Sequence, residues 1–174
     1  EADRLSVSED EVAEAIAGKN LEKALLAALT AHSGGQLKTA VEIYSSVLRL
    51  KMTTVIRSLV YNHRGMAYFA LSDYTRAVRD FSKSIKCDPL NVRSYNNRAL
   101  AFRVLKRFDR SLTDYDRSVA LDPSQFDGFW GRAQTLYEMK LYTRALADCK
   151  KVLGMRSDFE AARSLTKIIS KLVF

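Results

Sequence analysis

Residues that act as nucleophiles, general bases or metal ligands are few in this sequence and form no recognisable set. The two histidines, His32 and His63, have no serine, cysteine or carboxylate at an interval typical of a catalytic triad or a metal site. The two cysteines, Cys87 and Cys149, lack metal-ligand spacing, and no glycine-rich phosphate-binding loop occurs. We therefore predict a protein that is not an enzyme and that binds neither a metal ion nor another cofactor.

Three arginines, in contrast, have the spacing of a repeated ion pair, because each precedes an aspartate by 16 residues. The pairs are Arg64 with Asp80, Arg98 with Asp114, and Arg132 with Asp148. The shared interval predicts partly buried structural ion pairs that join two helices. The alternative is a set of three arginines that hold an anionic ligand.

The same arginines recur at a step of 34 residues, which indicates an internal repeat. The segments Tyr61–Tyr68, Tyr95–Phe102 and Phe129–Leu136 align at this step. A period of this length is typical of solenoids built from helix-turn-helix units.

Apolar residues at helical spacing predict where the helices lie. The register is strict from Ser58, and an insertion of three residues near 51–55 separates the first helix pair from the second. Asp88-Pro89 and Asp122-Pro123 end two of the pairs, because proline cannot continue a helix. The predicted helices run over about 8–17, 20–33, 37–48, 56–70, 73–87, 90–104, 107–121, 124–138, 141–153 and 158–172.

Capping residues refine the two ends of this prediction. Ser8 followed by Glu11 predicts a capping box that opens the first short helix, which Gly18 ends. Gly154 is the predicted C-cap of the helix before the last one. A second capping box, Ser157 with Glu160, is predicted to open the last helix.

The repeated residues resemble the tetratricopeptide repeat (TPR). This family has a small residue and an aromatic on the first helix of a pair, then alanine, an aromatic and a small residue on the second, followed by proline. The second unit has Gly65, Tyr68, Ala77, Phe81, Ser84 and Pro89; the third has Ala99, Phe102, Ser111, Tyr115, Ser118 and Pro123; the fourth has Ala133, Leu136, Ala145, Cys149 and Val152; the degenerate first has Ala28, Ala31, Ala40, Tyr44 and Val47. The resemblance implies an all-α fold, a right-handed α-α superhelix of helix hairpins with a C-terminal capping helix.

The predicted domain organisation follows these units. An N-terminal lead with a short helix occupies 1–19, and four TPR units occupy 20–157, at about 21–54, 58–91, 92–125 and 126–157. Residues 158–174 form the capping helix, which covers the end of the stack, as solenoids require.

The resemblance also implies that the first helix of each pair lines a concave groove. The side chains on helix faces not used for packing are then predicted to line this groove, and their mixture of types suits an extended peptide. Asn97 presents an acceptor and donors to a peptide backbone, and Arg93 or Arg103 could hold a carboxylate. Trp130 is a candidate anchor, although Trp130 and Phe69 could instead pack against neighbouring helices. The predicted groove residues are Asn62, His63, Met66, Phe69, Arg93, Asn96, Asn97, Arg103, Trp130, Gln134 and Tyr137, and Leu59, Leu100 and Asp127 share their faces.

The stretch Asn97-Arg98-Ala99 is similar to co-chaperone members that bind the acidic C-terminal tails of heat-shock chaperones. Those members hold the tail carboxylates with lysine, asparagine and arginine on successive first helices. One alignment places these positions at Glu22, Leu26, His63, Arg93 and Asn97, and the other at Leu59, His63, Asn97, Asp127 and Gly131. Neither keeps the basic clamp, so chaperone-tail binding is an alternative and not the main prediction.

The net charge of +8 leaves acidic peptides, anionic lipid and nucleic acid open as partners. Basic residues are scattered along nearly every helix, which favours solvated outer faces and makes nucleic acid the less favoured partner. No apolar run approaches the roughly 18 residues of a membrane span. Two unpaired cysteines and the lack of a signal segment predict a cytoplasmic location, and the start at Glu1 leaves open that the chain is part of a longer protein.

Three functional hypotheses follow. The first, which we favour, is an adaptor or scaffold that binds a peptide segment of a partner protein, acidic or not, in the concave groove. The second is an assembly protein that pairs through its outer faces or terminal helices, which would make it a homo-oligomer. The third, a basic platform for RNA or a membrane surface, depends on charge alone.

Overall fold

The structure is a computed structural model that describes residues 7, 8, 10, 11 and 20–173. All regular secondary structure in that part of the chain is helical. The helices between residues 20 and 173 are α1 (Leu21–Ser33), α2 (Leu37–Val47), α3 (Thr54–Ala70), α4 (Tyr74–Cys87), α5 (Val92–Val104), α6 (Phe108–Leu121), α7 (Phe126–Glu138), α8 (Tyr142–Met155) and α9 (Glu160–Val173). None of these helices combines the length and the apolar character that crossing a membrane requires. The all-α fold predicted from the sequence is confirmed.

The chain divides into two compact units, residues 1–94 and residues 95–174. The first unit contains α1 to α4, and the second contains α6 to α9. The division falls within α5, directly after Ser94.

The core of the first unit combines alanines of α1 and α2 with larger residues of α2 and α3. Small side chains on one helix let the axis of the next come close, and the larger side chains then fill the space between them. The buried alanines are Ala24, Ala28, Ala31 and Ala40, and the buried larger residues are Ile43, Tyr44, Val47 and Val60. The first repeat therefore has a packed core although its sequence is degenerate.

The segment before α1 is described only at Val7, Ser8, Asp10 and Glu11. Val7 is buried against the first core, and its N–H donates to Gln36 Oε1 at 2.7 Å. Ser8 and Glu11 form the reciprocal bonds of a capping box: the Ser8 N–H donates to Glu11 Oε2 at 2.9 Å, and the Glu11 N–H donates to Ser8 Oγ at 3.3 Å. The predicted helix end at Gly18 lies outside the described residues.

The core of the second unit lies between α7, α8 and α9. Leu136, Ala145 and Ile169 are its buried members, and Leu165 packs against them. Helix α9 therefore packs on the last hairpin of the unit through Leu165 and Ile169. Ile168 and Leu172, which helical spacing places on the same predicted apolar face, are exposed.

The turn inside each hairpin repeats one backbone geometry. A residue with positive φ follows the first helix at Gly35 (79°), Ser72 (62°), Lys106 (59°) and Lys140 (62°). The next N–H bonds back five residues, as from Gln36 to Ala31 O at 2.8 Å and from Asp73 to Tyr68 O at 2.9 Å. Such Schellman turns satisfy the carbonyls at the helix end and reverse the chain within a few residues.

Several predicted helix boundaries are corrected. Helix α3 begins at Thr54, two residues earlier than predicted, because Thr53 caps it. Helices α5 and α7 begin at Val92 and Phe126, two residues later than predicted, because the residues after each proline form a turn on Asp88 and Asp122. In the first of these turns, the Leu90 N–H donates to Asp88 Oδ1 at 3.0 Å.

The other corrections concern the end of the last hairpin. Gly154 is not a C-cap, because α8 continues to Met155 and is capped by Arg156. Arg156 lies 34 residues after the C-cap Asp122, so the repeat determines this boundary and the glycine does not. Helix α9 begins at Glu160, which excludes the predicted capping box with Ser157 because Glu160 would have to be the third helical residue.

Candidate peptide-binding surface

Arginine–aspartate pairs join the two helices of each of the last three hairpins. Arg64 Nε and Nη2 donate to Asp80 at 2.6 and 2.9 Å, Arg98 donates to Asp114 at 2.7 and 2.7 Å, and Arg132 donates to Asp148 at 2.8 and 2.7 Å. Each contact is bidentate, the geometry in which a guanidinium matches a carboxylate best. All three aspartates are buried. These arginines are therefore engaged within the fold, which argues against their holding an anionic ligand.

The remaining guanidinium nitrogen of two arginines contacts the preceding hairpin. Arg64 Nη1 donates to Ser45 Oγ on α2 at 2.9 Å, and Arg132 Nη1 donates to Asp116 Oδ1 on α6 at 2.7 Å. The hydrogen bond to Asp148 raises the pKa of Arg132, an effect that outweighs the opposing one of burial. Each of these two arginines thus connects three helices.

Aromatic rings at fixed positions cover the same guanidinium groups. Arg64 Cζ lies 5.7 Å from the Tyr61 ring centroid and 5.8 Å from that of Tyr68. Arg132 Cζ lies 5.4 Å from the Phe129 centroid. Rings at this distance attract a cation and exclude water from the ion pair. Tyr61 and Phe129 therefore pack on the arginines of the ion pairs and are not part of the candidate ligand site.

The predicted groove residues of the first unit differ in exposure. Met66 and Arg93 are exposed, as a ligand-binding role requires. Phe69 is half-buried and packs edge-on against Tyr74, with ring centroids 5.1 Å apart. This contact supports the alternative interpretation of Phe69 as a packing residue.

Asn62 was predicted to lie in the groove, but it is buried, with 5% of its surface exposed. It lies one turn after Ser58 and three residues before Gly65, both of which are also buried. Residues at these spacings share one helix face. Asn62 is therefore part of the packed face of α3.

His63 belongs to a ring cluster in which Tyr44 of α2 lies between His63 and His32 of α1. Its ring is stacked on that of Tyr44 at 6.2 Å, and His32 meets Tyr44 edge-on at 6.3 Å. Burial lowers the pKa of His63, and the positive charges of His32 and Arg93 lower it further. Burial also lowers the pKa of His32 and raises that of the Tyr44 hydroxyl. The cluster is thus packed and uncharged at neutral pH.

Arg103 does not present a free guanidinium to a ligand carboxylate. Its Nη1 donates to Glu138 Oε1 on α7 at 2.7 Å, and Lys106 Nζ lies 3.3 Å from the other oxygen of the same carboxylate. Burial alone would raise the pKa of Glu138, but the bonds and charges of Arg103 and Lys106 lower it. Glu138, 35 residues away in the sequence, is the partner that the sequence analysis missed.

Asn96 is also buried, with 9% exposed, although it was predicted to line the groove. Its Nδ2 donates to Gln125 Oε1 at 3.3 Å, just before α7 begins. A Cβ atom on Gly128 would lie 3.4 Å from Asn96 Oδ1, so α7 covers the amide closely. Asn96 faces the next helix of its unit because α7 packs against that side of α5.

Trp130 packs against the segment that leads into α9. Its ring centroid lies 5.1 Å from that of Phe159, and Phe126 lies 4.7 Å from Phe159, both edge-on. Arg156 Cζ lies over the Phe159 ring at 5.4 Å. This aromatic cluster supports the packing interpretation of Trp130. The other predicted groove residues of the second unit, Asn97, Gln134 and Tyr137, are half-buried.

The first unit also carries an open apolar depression that the predicted groove did not include. We call it the leucine groove; its volume is about 570 Å³. Leu26, on its wall, has 66% of its surface exposed. Val55 and Leu59 extend the exposed apolar surface along α3. The lining residues are Asn20, Leu21, Glu22, Leu25, Leu26, Leu29 and Ile56.

The electrostatics of the leucine groove differ from those of a carboxylate clamp. Glu22 is the charged residue among the described residues that line it, and it is acidic. The clamp positions that the co-chaperone resemblance placed on α1 are Glu22 and Leu26, an acid and an aliphatic residue. The sequence signal for the groove was the adjacent pair Leu25 and Leu26. Leu25 packs against the core, and Leu26 is left exposed. Within the described residues, no cluster of three or more histidine, cysteine, aspartate or glutamate side chains could hold a metal ion.

The chain resembles known proteins in sequence and in fold. A family model described as Tetratricopeptide repeat matches residues 63–126 and 107–158, together more than half of the chain. No curated protein matches the sequence significantly.

Solved structures of TPR domains share the fold. The first TPR of Spaghetti (RPAP3), bound to the HSP90 peptide SRMEEVD, is 26% identical over 70% of this chain and 96% of that one, with a TM-score of 0.68. The TPR2B domain of yeast Sti1 in complex with pHsp70 is 23% identical over 67% and 98%, with a TM-score of 0.64. YrrB, a TPR protein with an unusual peptide-binding site, is 15% identical over 91% and 84%, with a TM-score of 0.75.

The matched residues include the three arginine–aspartate pairs, and the neighbouring structures are helical-repeat solenoids. TPR domains in general are non-catalytic modules for protein–protein interaction. The chain belongs to the tetratricopeptide repeat family.

Proposed function

We propose that this protein is an interaction module that holds a segment of a partner protein in the leucine groove. The observation that carries the proposal is the cavity of about 570 Å³ between α1 and α3, with Leu26 exposed on its wall. Concave apolar sites with a few polar groups at the edge are the usual form of a binding pocket. Such a site on a TPR fold supports an adaptor or scaffold function.

The lining residues favour an apolar segment over an acidic tail. Burial of aliphatic side chains contributes about 25 cal/mol to the binding free energy for each Å² of apolar surface removed from water. This contribution does not require a charge on the ligand. An acidic tail would meet Glu22 on the wall of the groove, and like charges in contact oppose binding. We therefore propose a partner segment with aliphatic anchors and neutral or basic flanks, and chaperone-tail binding becomes the less favoured alternative.

Selection from a displayed library of random peptides tests this function. Peptides enriched on the wild-type chain would be synthesised with a fluorophore and titrated by fluorescence polarisation. Leu26→Lys places a charge on the wall of the groove and should weaken their binding about tenfold or more. The exposed position of Leu26, and an i,i+4 pair of the new lysine with Glu22, should leave the fold intact.

Leu90→Lys is the matched control, because Leu90 is 69% exposed and lies in the turn before α5, away from the cavity. Its peptide affinities should equal those of the wild type. Enriched peptides that bind Leu26→Lys as tightly as the wild type would refute the leucine groove as the site. If those peptides were acidic and lost binding with Arg93→Ala instead, the site would lie at the residues predicted from the sequence.

A further inference from the structure

Helix α9 carries exposed aliphatic residues on one face. Ile168 and Leu172 are 47% and 55% exposed, and Val173 is exposed beside them. Residues four apart lie one above the other on a helix, so Ile168 and Leu172 form a continuous apolar stripe. Ile169, next to them, is buried in the core, so the stripe is separate from the packed face.

Basic residues run along this stripe. Arg163, Lys167 and Lys171 recur at four-residue intervals and are all exposed. Helix α9 is therefore an amphipathic helix with an aliphatic stripe flanked by positive charge. This is the chemistry that the lining of the leucine groove favours in a ligand.

The opposite end of the chain carries the complementary charge. Residues 1–22 contain seven acidic and two basic residues, and this segment leads into α1, which forms one wall of the leucine groove. Two N-terminal ends would repel one another, and so would two copies of α9, whereas one of each attract. The charge distribution thus favours a contact between unlike surfaces.

We propose that α9 of one copy of this chain docks in the leucine groove of a second copy. Ile168 and Leu172 enter the apolar cavity, and Lys167 or Lys171 faces Glu22 at its edge. An amphipathic helix in an apolar groove is a common form of recognition, read through anchors at i and i+4. The inference depends on the proposed function, because it assigns the occupant of the same groove.

The contact is heterologous, since the two surfaces differ, and each copy keeps one free groove and one free α9. Heterologous contacts that do not close into a ring extend into linear assemblies. The wild-type chain should therefore show an average mass that rises with concentration. High salt should lower that mass, because it screens the flanking charges.

Two blocked variants test the direction of the contact by sedimentation velocity. Leu26→Lys blocks the groove and leaves α9 free, whereas Leu172→Lys blocks α9 and leaves the groove free. Each alone should be monomeric at concentrations at which the wild type assembles. Their mixture should form a one-to-one dimer and nothing larger, because one free groove meets one free α9. Leu90→Lys is the control and should assemble like the wild type.

Other outcomes separate the two proposals. A wild-type chain that stays monomeric at all concentrations, or a mixture that contains monomers only, would refute docking of α9. If peptides from the displayed library still lose binding to Leu26→Lys, the groove is a binding site for another partner and the proposed function remains. If the affinity of those peptides is also unchanged by Leu26→Lys, both proposals are wrong.

Discussion

Asp114 illustrates how a single buried charge depends on its partner. It is 4% exposed, and its two oxygens accept from Arg98 Nε and Nη2. Arg98 in turn lies under the rings of Tyr95 and Phe102, each 5.9 Å from Cζ. A carboxylate in this position neutralises a guanidinium that water reaches poorly.

Replacing Asp114 by asparagine should destabilise the protein by about 3 kcal/mol, because it leaves the guanidinium without its counter-charge. The measurement is the midpoint of urea unfolding followed by circular dichroism. Asp158→Asn removes an exposed carboxylate from the turn before α9 and serves as the control, with an expected change below about 0.5 kcal/mol. Equal midpoints for the two variants would contradict a structural role of the pair.

Gly131 permits the close approach of α6 and α7. A Cβ atom at this position would overlap with Tyr115 Cζ and Oη. We expect Gly131→Ala to cost about 2 kcal/mol of unfolding free energy, because the phenol must move out of a packed site.

The Tyr115→Leu background tests the cause of this cost. Leucine ends short of the space that the phenol ring occupies, so Gly131→Ala should cost much less there than in the wild type. A double-mutant cycle from the four unfolding free energies measures the difference. Additive effects would mean that the alanine disturbs something other than Tyr115.

At the scale of the element, a glycine can be needed for its backbone conformation or for the space that it leaves, and a comparison of Gly35 with Gly154 separates the two. Gly35 has a φ of 79°, and no described atom lies within 4 Å of a Cβ placed on it. Gly154 lies in the last turn of α8 and is equally open among the described residues. The two positions therefore differ in backbone conformation but not in available space.

Alanine at these two positions should have opposite effects. Gly35→Ala should destabilise by about 1 kcal/mol, the cost of a left-handed conformation for an L-residue. Gly154→Ala should stabilise by about 0.5 kcal/mol, because alanine is the better helix former. Thermal unfolding of both variants beside the wild type provides the test. A loss at both positions would show that Gly154 has a packing role.

The helices were predictable because the 34-residue period constrains every unit at once. The arginines at 64, 98 and 132 fixed the register, and the 16-residue interval led to the same Arg–Asp pairs that the structure contains. Boundaries failed where local signals competed with the repeat. Gly154 has the type of a C-cap residue, but α8 ends where the earlier second helices end.

The candidate site was less predictable than the fold. The first helix of each pair packs on more than one side, so 3.6-residue periodicity does not isolate a single free stripe. Asn62 and Asn96 were assigned to a free face and are buried, and the partner of Arg103 lies on another helix. Prediction of the leucine groove would require the exposed fraction of Leu26 after the helices pack. Helical periodicity in a single sequence does not give that fraction.

At the scale of the whole molecule, the histidine cluster links stability to pH. Burial and positive neighbours lower the pKa values of His32 and His63 below that of an unfolded histidine, about 6.5. Below that pH the unfolded chain binds more protons than the folded one, so acid favours unfolding. The histidine contribution to stability is therefore complete above about pH 6.5 and is lost as the pH falls through the lower folded-state values.

We expect the urea concentration at the unfolding midpoint to decrease as the pH is lowered from 7.5 to 5.5. Most carboxylates do not titrate in this range, because their pKa values are about 4. His63→Gln removes one of the two titrating groups and should flatten this dependence. A wild-type profile without slope over this range, or an unchanged slope in His63→Gln, would show that the cluster is accessible to protons in the folded state.

The arrangement of the arginine nitrogens has a consequence for how this chain could change its length. In Arg64 and Arg132, two guanidinium nitrogens donate within their own hairpin, and the third donates to a serine or an aspartate of the hairpin before it. Duplication or loss of one 34-residue segment would therefore keep each of these guanidinium groups neutralised by the aspartate of its own hairpin. The number of repeats could then change without leaving a buried charge unpaired.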